Sequence, residues 1–324
     1  MARHPTSHDW SAGPRVCPCG RPARHHGKEC SACSERRRRS KGKPAGRDPV
    51  VAAPASQTVA PREAVDFDIE VQPPDGRMIH GVILSDVHYE ERDQAAWDAA
   101  LAYLRDTQPD EVVLNGDFLE LASCTSHPQA FVEPLEADLA AGRAGLAEIM
   151  TAAPKARITY LAGNHETRLD RFLVDRAPSL IGSLSVAGGL RLEHLGIPYI
   201  PEGRGHQPIR RGSLLIIHGH QAPASGVYHA AKMANLYGHH GETVAYGHLH
   251  RIQSIARPGE EVARAQSIGC LRTLAPGWEH GRPSGWEHGI GIYYVRPDGT
   301  TDLYAPRITQ GRFAFGGKLY GGAA

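Results

Sequence analysis

Short apolar runs recur from Met78 onward, each closed by glycine or a polar residue. The run MIHGVILSD (78–86) predicts a buried strand. Residues 94–106, QAAWDAALAYLRD, place Trp97, Leu101 and Leu104 on one face of a helix. EVVLNGD (111–117) reads as a second strand ending in glycine, and residues 134–152 as a helix. RITYLAGNHE (157–166) is a third strand running into a loop, followed by a helical TRLDRFLVDRA (167–177). SLLIIHGH (213–220) and ETVAYGHLH (242–250) are two further strands. From about 251 to 306 β-like runs follow, among them GIGIYYV and TTDLYA. Strands that first alternate with helices and then follow one another predict a mixed α/β layered domain.

The segments outside this pattern divide the chain into four parts. Residues 1–40 carry clustered cysteines and basic residues, and 41–77 hold six prolines among small residues, which reads as a linker. Residues 78–306 form the patterned domain, and 307–324 read as a Gly-rich tail. A 324-residue chain with 41% hydrophobic and 22% charged residues is expected to bury a sizeable core. No apolar run approaches the roughly 18–20 residues of a membrane span, and the first residues lack a secretory apolar stretch. A cytoplasmic protein without membrane partners is expected.

The formal net charge of +1 hides an asymmetry. Residues 1–47 hold 12 Lys and Arg against 3 Asp and Glu, net +9, whereas the rest of the chain is net −8. A basic head on an acidic body predicts an anionic partner for the head, and a solvated tail is the plainer alternative. Four of the six cysteines, Cys17, Cys19, Cys30 and Cys33, fall within 17 residues as C-x-C and C-x2-C. Close thiolate pairs across a short loop suit one tetrahedral structural zinc, with His25 or His26 able to replace a thiolate. The segment resembles the small four-cysteine zinc ribbons at the ends of many phage and bacterial proteins. Cys124 and Cys270 read as buried thiols.

The chemistry gathers at the strand ends. Asp86-Val87-His88 follows the first strand, Gly116-Asp117 the second, and Gly163-Asn164-His165-Glu166 the third. His218-Gly219-His220 and Gly247-His248-Leu249-His250 follow the next two. Loops at strand ends are where α/β proteins commonly place ligands and catalysts. Carboxylate, imidazole and amide groups together suit Mn, Fe or Zn, and seven of them suit a two-metal centre sharing one carboxylate. On an extended chain His248 and His250 would face one side with Cα atoms about 6.5–7 Å apart, from a rise of roughly 3.3 Å per residue. That separation could serve two ions about 3.5–4 Å apart.

The blocks D-x-H, GD, GNH-E, H-G and GHxH, in this order, resemble the signature of the calcineurin-like metallophosphoesterases. The resemblance spans residues 79–257 and extends toward 306. It implies an α/β fold, a four-layer β-sandwich flanked by helices, here with a small N-terminal zinc-knuckle segment. It implies that Asp86, His88 and His250 hold one divalent metal, that Asn164, His218 and His248 hold the other, and that Asp117 bridges them. His165 would stabilise the transition state or protonate the leaving oxygen, and Asn164 would also offer its N–H to the phosphate. A hydroxide bridging the metals would attack phosphorus in line with the leaving oxygen. Some members orient the histidine with an Asp three residues after the bridging Asp; here that place is Glu120.

Other polar residues are less telling. His220 reads as a residue behind or beside the site, and His239 and His240 receive no role. Arg168 and Arg171 either contact phosphate or lie on the outer face of a helix, the preferred reading. GWEHG occurs at 277–281 and again at 285–289, as a local duplication or a loop reaching the site.

The resemblance gives a reaction class rather than a substrate. The basic head favours nucleic acid and a phosphodiesterase or nuclease, since Lys and Arg supply salt-sensitive affinity for phosphates. A phosphomonoesterase or pyrophosphatase on a small nucleotide is the alternative. NGDFLEL is similar to the GD block of diphosphatases acting on UDP-sugar lipids, but those carry Arg where this chain has His165. A non-catalytic binding module on the same fold is a third reading, disfavoured because all seven ligand positions are filled. If phage-encoded, the protein would act in the host cytoplasm.

Overall fold

The computed structural model describes residues 76–322 apart from 128–132, 203–207, 223–227, 239–240, 258–261 and 276–283. The cysteine-rich head, the proline-rich linker up to residue 75, His239, His240 and the first GWEHG copy lie outside the described residues. Two sheets carry the domain. The larger is built from β1 (Ile79–Leu84), β2 (Glu111–Asn115), β3 (Arg157–Leu161), β4 (Tyr199–Ile200), β11 (Gly291–Val295) and β12 (Thr301–Tyr304), in the order β12-β11-β1-β2-β3-β4. The smaller contains β5 (Ile209–Arg211), β6 (Leu214–Ile217), β7 (Thr243–Tyr246), β8 (Ser254–Arg257) and β9 (Ala263–Ser267), in the order β5-β6-β7-β9-β8. Strands β1 to β4 run parallel, as do β6, β7 and β9.

The two-residue side-chain period of each strand divides the core. On β1, Ile79 and Ile83 join Val113, Leu161, Leu214, Ile216 and Ala245 between the sheets. Val82 and Leu84 turn the other way, into a second core with Val112, Leu114 and Tyr160. Helices α1 (Gln94–Thr107), α2 (Leu135–Ala152) and α3 (Glu166–Arg176) contribute Trp97, Leu104, Leu146, Ile149 and Leu169 to that outer core. On the far side, Leu215, Ile217, Val244 and Tyr246 pack with Ala230, Met233 and Ala234 of α5 (His229–Tyr237); the short α4 is Val186–Gly189. The result is helices, sheet, sheet, helix: the mixed α/β layering expected from the pattern. Helix α1 begins where expected because the Asp93 side chain accepts from the Ala96 N–H at 2.9 Å, and it stops at Gln108, whose backbone is left-handed.

Residues beyond 306 are not a separate tail. After β10 (His288–Gly289) pairs with β13 (Arg307–Ile308), a hairpin of β14 (Arg312–Phe315) and β15 (Lys318–Gly321) follows. Phe313 and Tyr320 are buried in the outer core, with Tyr320 4.9 Å from the Tyr103 ring of α1, while Lys318 reaches Asp106 at 2.9 Å. The glycines that made this stretch read as a tail serve its turns: Gly316 and Gly317 have φ of 57° and 78°. Burial of Phe313 alone contributes about 1.5–3 kcal/mol.

One charged pair lies inside the sandwich. At the start of β2, Glu111 accepts from Arg211 Nε at 2.6 Å and Nη2 at 2.5 Å, and from the Tyr293 hydroxyl at 2.5 Å. Burial pushes the Glu111 carboxyl up, but Arg211 and Tyr293 outweigh burial and hold it below its ordinary value. The pair ties the two sheets at the end of β2 opposite Asp117. Removing one partner strands a buried charge. Arg211→Ala is therefore expected to cost about 3–5 kcal/mol in urea unfolding. A Glu111→Leu/Arg211→Met double variant should recover most of it; equal loss in both would show that the pair is not the cause.

Candidate metal centre

All the strand-end groups converge at the carboxyl ends of the parallel strands. Asp86 and His88 follow β1, Asp117 follows β2, and Asn164 and His165 follow β3; His218 follows β6, and His248 and His250 follow β7. Close packing of these loops depends on glycine. Gly116 has φ 78°, and a Cβ there would lie 2.5 Å from His218 Nδ1. A Cβ on Gly247 would lie 1.9 Å from Ser85 Oγ and 2.2 Å from Asp86 Oδ2. Asp86, His88, Asp117, His248 and His250 all adopt left-handed φ, between 42° and 66°. Side chains there are strained, and such positions cluster at functional sites.

These turns replace the extended geometry expected for the last histidine pair. Strand β7 ends at Tyr246, so His248 and His250 lie beyond it in left-handed turns. The two histidines fall into different groups of candidate ligand atoms. Three groups of candidate ligand atoms lie within 4.8 Å of one another: Asp86, His88 and His250; Asp117, His218 and His248; and His88, Asp117 and His165. Asn164 joins the second group, its Oδ1 3.2 Å from His218 Nε2.

The donor atoms fit divalent cations. Asp86 and Asp117 are buried carboxylates that repel each other. Among the described residues, buried His88 Nε2 and His250 Nδ1 have no hydrogen-bond partner, and His88 Nε2 lies 4.0 Å from Asp117 Oδ2. Burial raises the Asp86 pKa, but His250 and His218 outweigh it and hold it at about 2. Burial lowers that of His218, yet Asp117 and Asp86 raise it to about 10. His218 Nε2 lies 3.2 Å from Asp117 Oδ2, while its Nδ1 donates to the Asn115 carbonyl at 2.8 Å. That second bond fixes Nε2 as the atom facing the site. Burial dominates at His248 and brings its pKa down to about 4, the neutral form a ligand needs.

Supporting residues hold the ligands. Ser85 Oγ donates to Asp86 at 2.6 Å, and the His248 N–H donates to both Asp86 oxygens at 3.0 and 2.9 Å. Glu166, buried, accepts from the N–H groups of Asp117, Phe118, Leu119 and Gly163 and from the Tyr160 hydroxyl. It clamps the GD loop to the GNHE loop. Its only trace in the sequence is an acid placed directly after Asn164 and His165.

Glu120 divides its labour differently from the expectation. Its main-chain carbonyl accepts from His165 Nδ1 at 2.9 Å and so orients that ring. Its carboxylate lies 2.7 Å from His88 Nδ1, against 3.6 Å from His165, and 3.1 Å from each of Arg168 and Arg272. Arg168 points inward rather than away, whereas Arg171 is exposed. His220 stands beside the site, its Nε2 on Glu202 and its ring 5.4 Å from His218. The second GWEHG copy reaches the centre: the Trp286 ring lies 4.3 Å from His250. Arg272 carries no signal in the sequence that points to the site, whereas Trp286 belongs to the GWEHG repeat, one reading of which is a loop reaching it.

Residues 81–251, more than half of the chain, match the family model described as calcineurin-like phosphoesterase. The chain belongs to that family. Similar proteins include the Gene 54 protein of Mycobacterium phage L5, 24% identical over 255 residues, and that of Mycobacterium phage D29, 24% identical over 258. Each alignment covers 74% of this chain and 97% of the phage protein. The family's phosphoester hydrolysis, the candidate ligand groups and the mixed α/β sandwich agree. No described helix is long and apolar enough to cross a membrane.

If Glu120 supports His88 as a ligand, Glu120→Ala should weaken Mn binding about 10–100-fold, measured by titration. Unchanged affinity would remove Glu120 from the ligand support.

Proposed function

We propose that the phosphoesterase is a dinuclear enzyme that cleaves phosphodiesters in nucleic acid. The observation that carries the dinuclear reading is the position of Asp117. Its Oδ2 lies 3.2 Å from His218 of one ligand group and 4.0 Å from His88 of the other. Asp86, His88 and His250 would hold one ion; Asn164, His218 and His248 the other; Asp117 both. Two divalent ions, Mn, Fe or Zn, would supply Lewis acidity to the phosphoryl oxygens and lower the pKa of water.

The chain's own residues supply orientation and proton control. Asn164 serves as a ligand through Oδ1 and can donate its side-chain N–H to the phosphate. His165 Nε2 faces the Asp117 side at 3.9 Å. Its Nδ1 bonds a carbonyl, which only accepts, so Nδ1 carries the proton of the neutral ring. Burial brings the His165 pKa to about 4, so the ring is neutral at pH 7. Its role in the transition state is to stabilise the phosphoryl group or, once a proton reaches Nε2, to donate it to the leaving oxygen.

Nucleic acid is favoured by charge. The net +9 of residues 1–47 suits a polyanion, and the net −8 of the remainder would otherwise repel one. Cys17, Cys19, Cys30 and Cys33 would give that head a structural zinc, and the linker would raise the local concentration of substrate.

With Mn, the full-length protein is expected to hydrolyse a generic phosphodiester and DNA. Asp117→Asn should lower kcat by roughly 10²–10³-fold or more and weaken metal loading. His165→Ala should lower kcat by about 10²–10⁴-fold and keep both ions. Loss of metal in His165→Ala would contradict its role, and cleavage of monoesters without diesters would move the substrate to small phosphates. Deleting residues 1–47 should weaken DNA binding and flatten its salt dependence; unchanged binding would remove the head from substrate capture.

A further inference from the structure

Arg168 lies in the first turn of α3, one turn past His165. Its Nη1 donates to the Glu120 carbonyl at 2.8 Å and to Glu120 Oε1 at 3.1 Å. Its Nη2 lies 2.8 Å from His165 Nε2. Because His165 Nδ1 carries the ring proton, Nε2 is the acceptor of this bond. The guanidinium is therefore one imidazole nitrogen away from Asp117, whose Oδ2 is 3.9 Å from the same Nε2.

Two features set this arginine apart from a brace. First, its charge is only partly compensated. The Glu120 carboxylate also serves His88 at 2.7 Å and Arg272 at 3.1 Å, so one carboxylate is shared by two guanidinium groups and an imidazole. Arg272 has a second carboxylate, Glu91; the only ion pair of Arg168 among the described residues is with Glu120. Second, its fork is incompletely used. The side chain is 21% exposed, and among the described residues its Nε–H and its second Nη2–H have no acceptor. A planar cationic fork with spare donors matches the oxygens of a phosphate.

We propose that Arg168 binds the substrate phosphate, taking a non-bridging oxygen on the His165 side of the centre. The phosphate oxygen then replaces His165 Nε2 as acceptor of the Nη2–H, which frees Nε2 to face the leaving group. Arg168 thereby couples phosphate arrival to release of His165. The proposal rests on the reading of the site as a phosphoesterase.

The test is inorganic phosphate binding by the Mn-loaded full-length protein, measured by calorimetry and as competitive inhibition, in wild type, Arg168→Ala and Arg168→Lys. Losing a charge-assisted bond should weaken phosphate binding about 10–100-fold in Arg168→Ala. Arg168→Lys should recover part of the loss, with Mn content and circular dichroism unchanged in both. If Arg168→Ala does not fold, Arg168→Gln keeps donors without the charge and should show the same loss. Unchanged phosphate affinity with a lowered kcat would overturn the proposal and leave Arg168 as a positioning residue for His165. Wild-type protein that loads Mn but neither binds phosphate nor hydrolyses any ester would instead overturn the functional reading itself.

Discussion

Two carboxylates, Asp86 and Asp117, are buried side by side where the parallel strands end, and the rest of the centre answers to that fact. Like charges out of water repel each other and require positive charge nearby. His218 supplies some of it by direct contact with Asp117, and His250 Nε2 lies 3.2 Å from Asp86 Oδ1. Among the described residues the buried His88 Nε2 has no hydrogen-bond partner while its Nδ1 is engaged by Glu120, so an imidazole lone pair remains there for a cation. A shell of hydrogen bonds from Ser85, the His248 N–H and the His165 N–H then fixes where each carboxylate points.

The sandwich makes this arrangement rigid. Core residues between the sheets hold β1, β2, β6 and β7 in register, so loops from two different sheets arrive at one place. At the opposite end of β2 the Glu111–Arg211–Tyr293 cluster ties the same two sheets. Left-handed turns at five candidate-ligand positions would be costly on a floppy scaffold; here glycine neighbours and Glu166 hold them.

Much of this was legible in the sequence because the strands are short, apolar and each followed by its functional group. What escaped depends on partners distant along the chain. The hairpin at 312–321 reads as a tail because its glycines mask the alternation of Phe313 and Tyr320 toward α1. The extended spacing of His248 and His250 fails because the chain turns left-handed right after Tyr246, although the two rings still fall into separate groups. The partner of the Glu120 carboxylate could not be told from spacing: the extra methylene over Asp lets it reach His88, Arg168 and Arg272 while its carbonyl takes over the ring of His165. Arg272 and Trp286 arrive from the last third of the chain, beyond the family's motif blocks.

The central claim is that the two ligand groups hold two ions around Asp117. Metal-free full-length protein titrated with Mn, with bound ions counted by elemental analysis and their spin coupling read by electron paramagnetic resonance, tests it most directly. Two ions per domain with an exchange-coupled signal, replaced by uncoupled or single-ion binding in Asp117→Asn, is the predicted result. A single uncoupled ion in the unaltered protein would contradict the account.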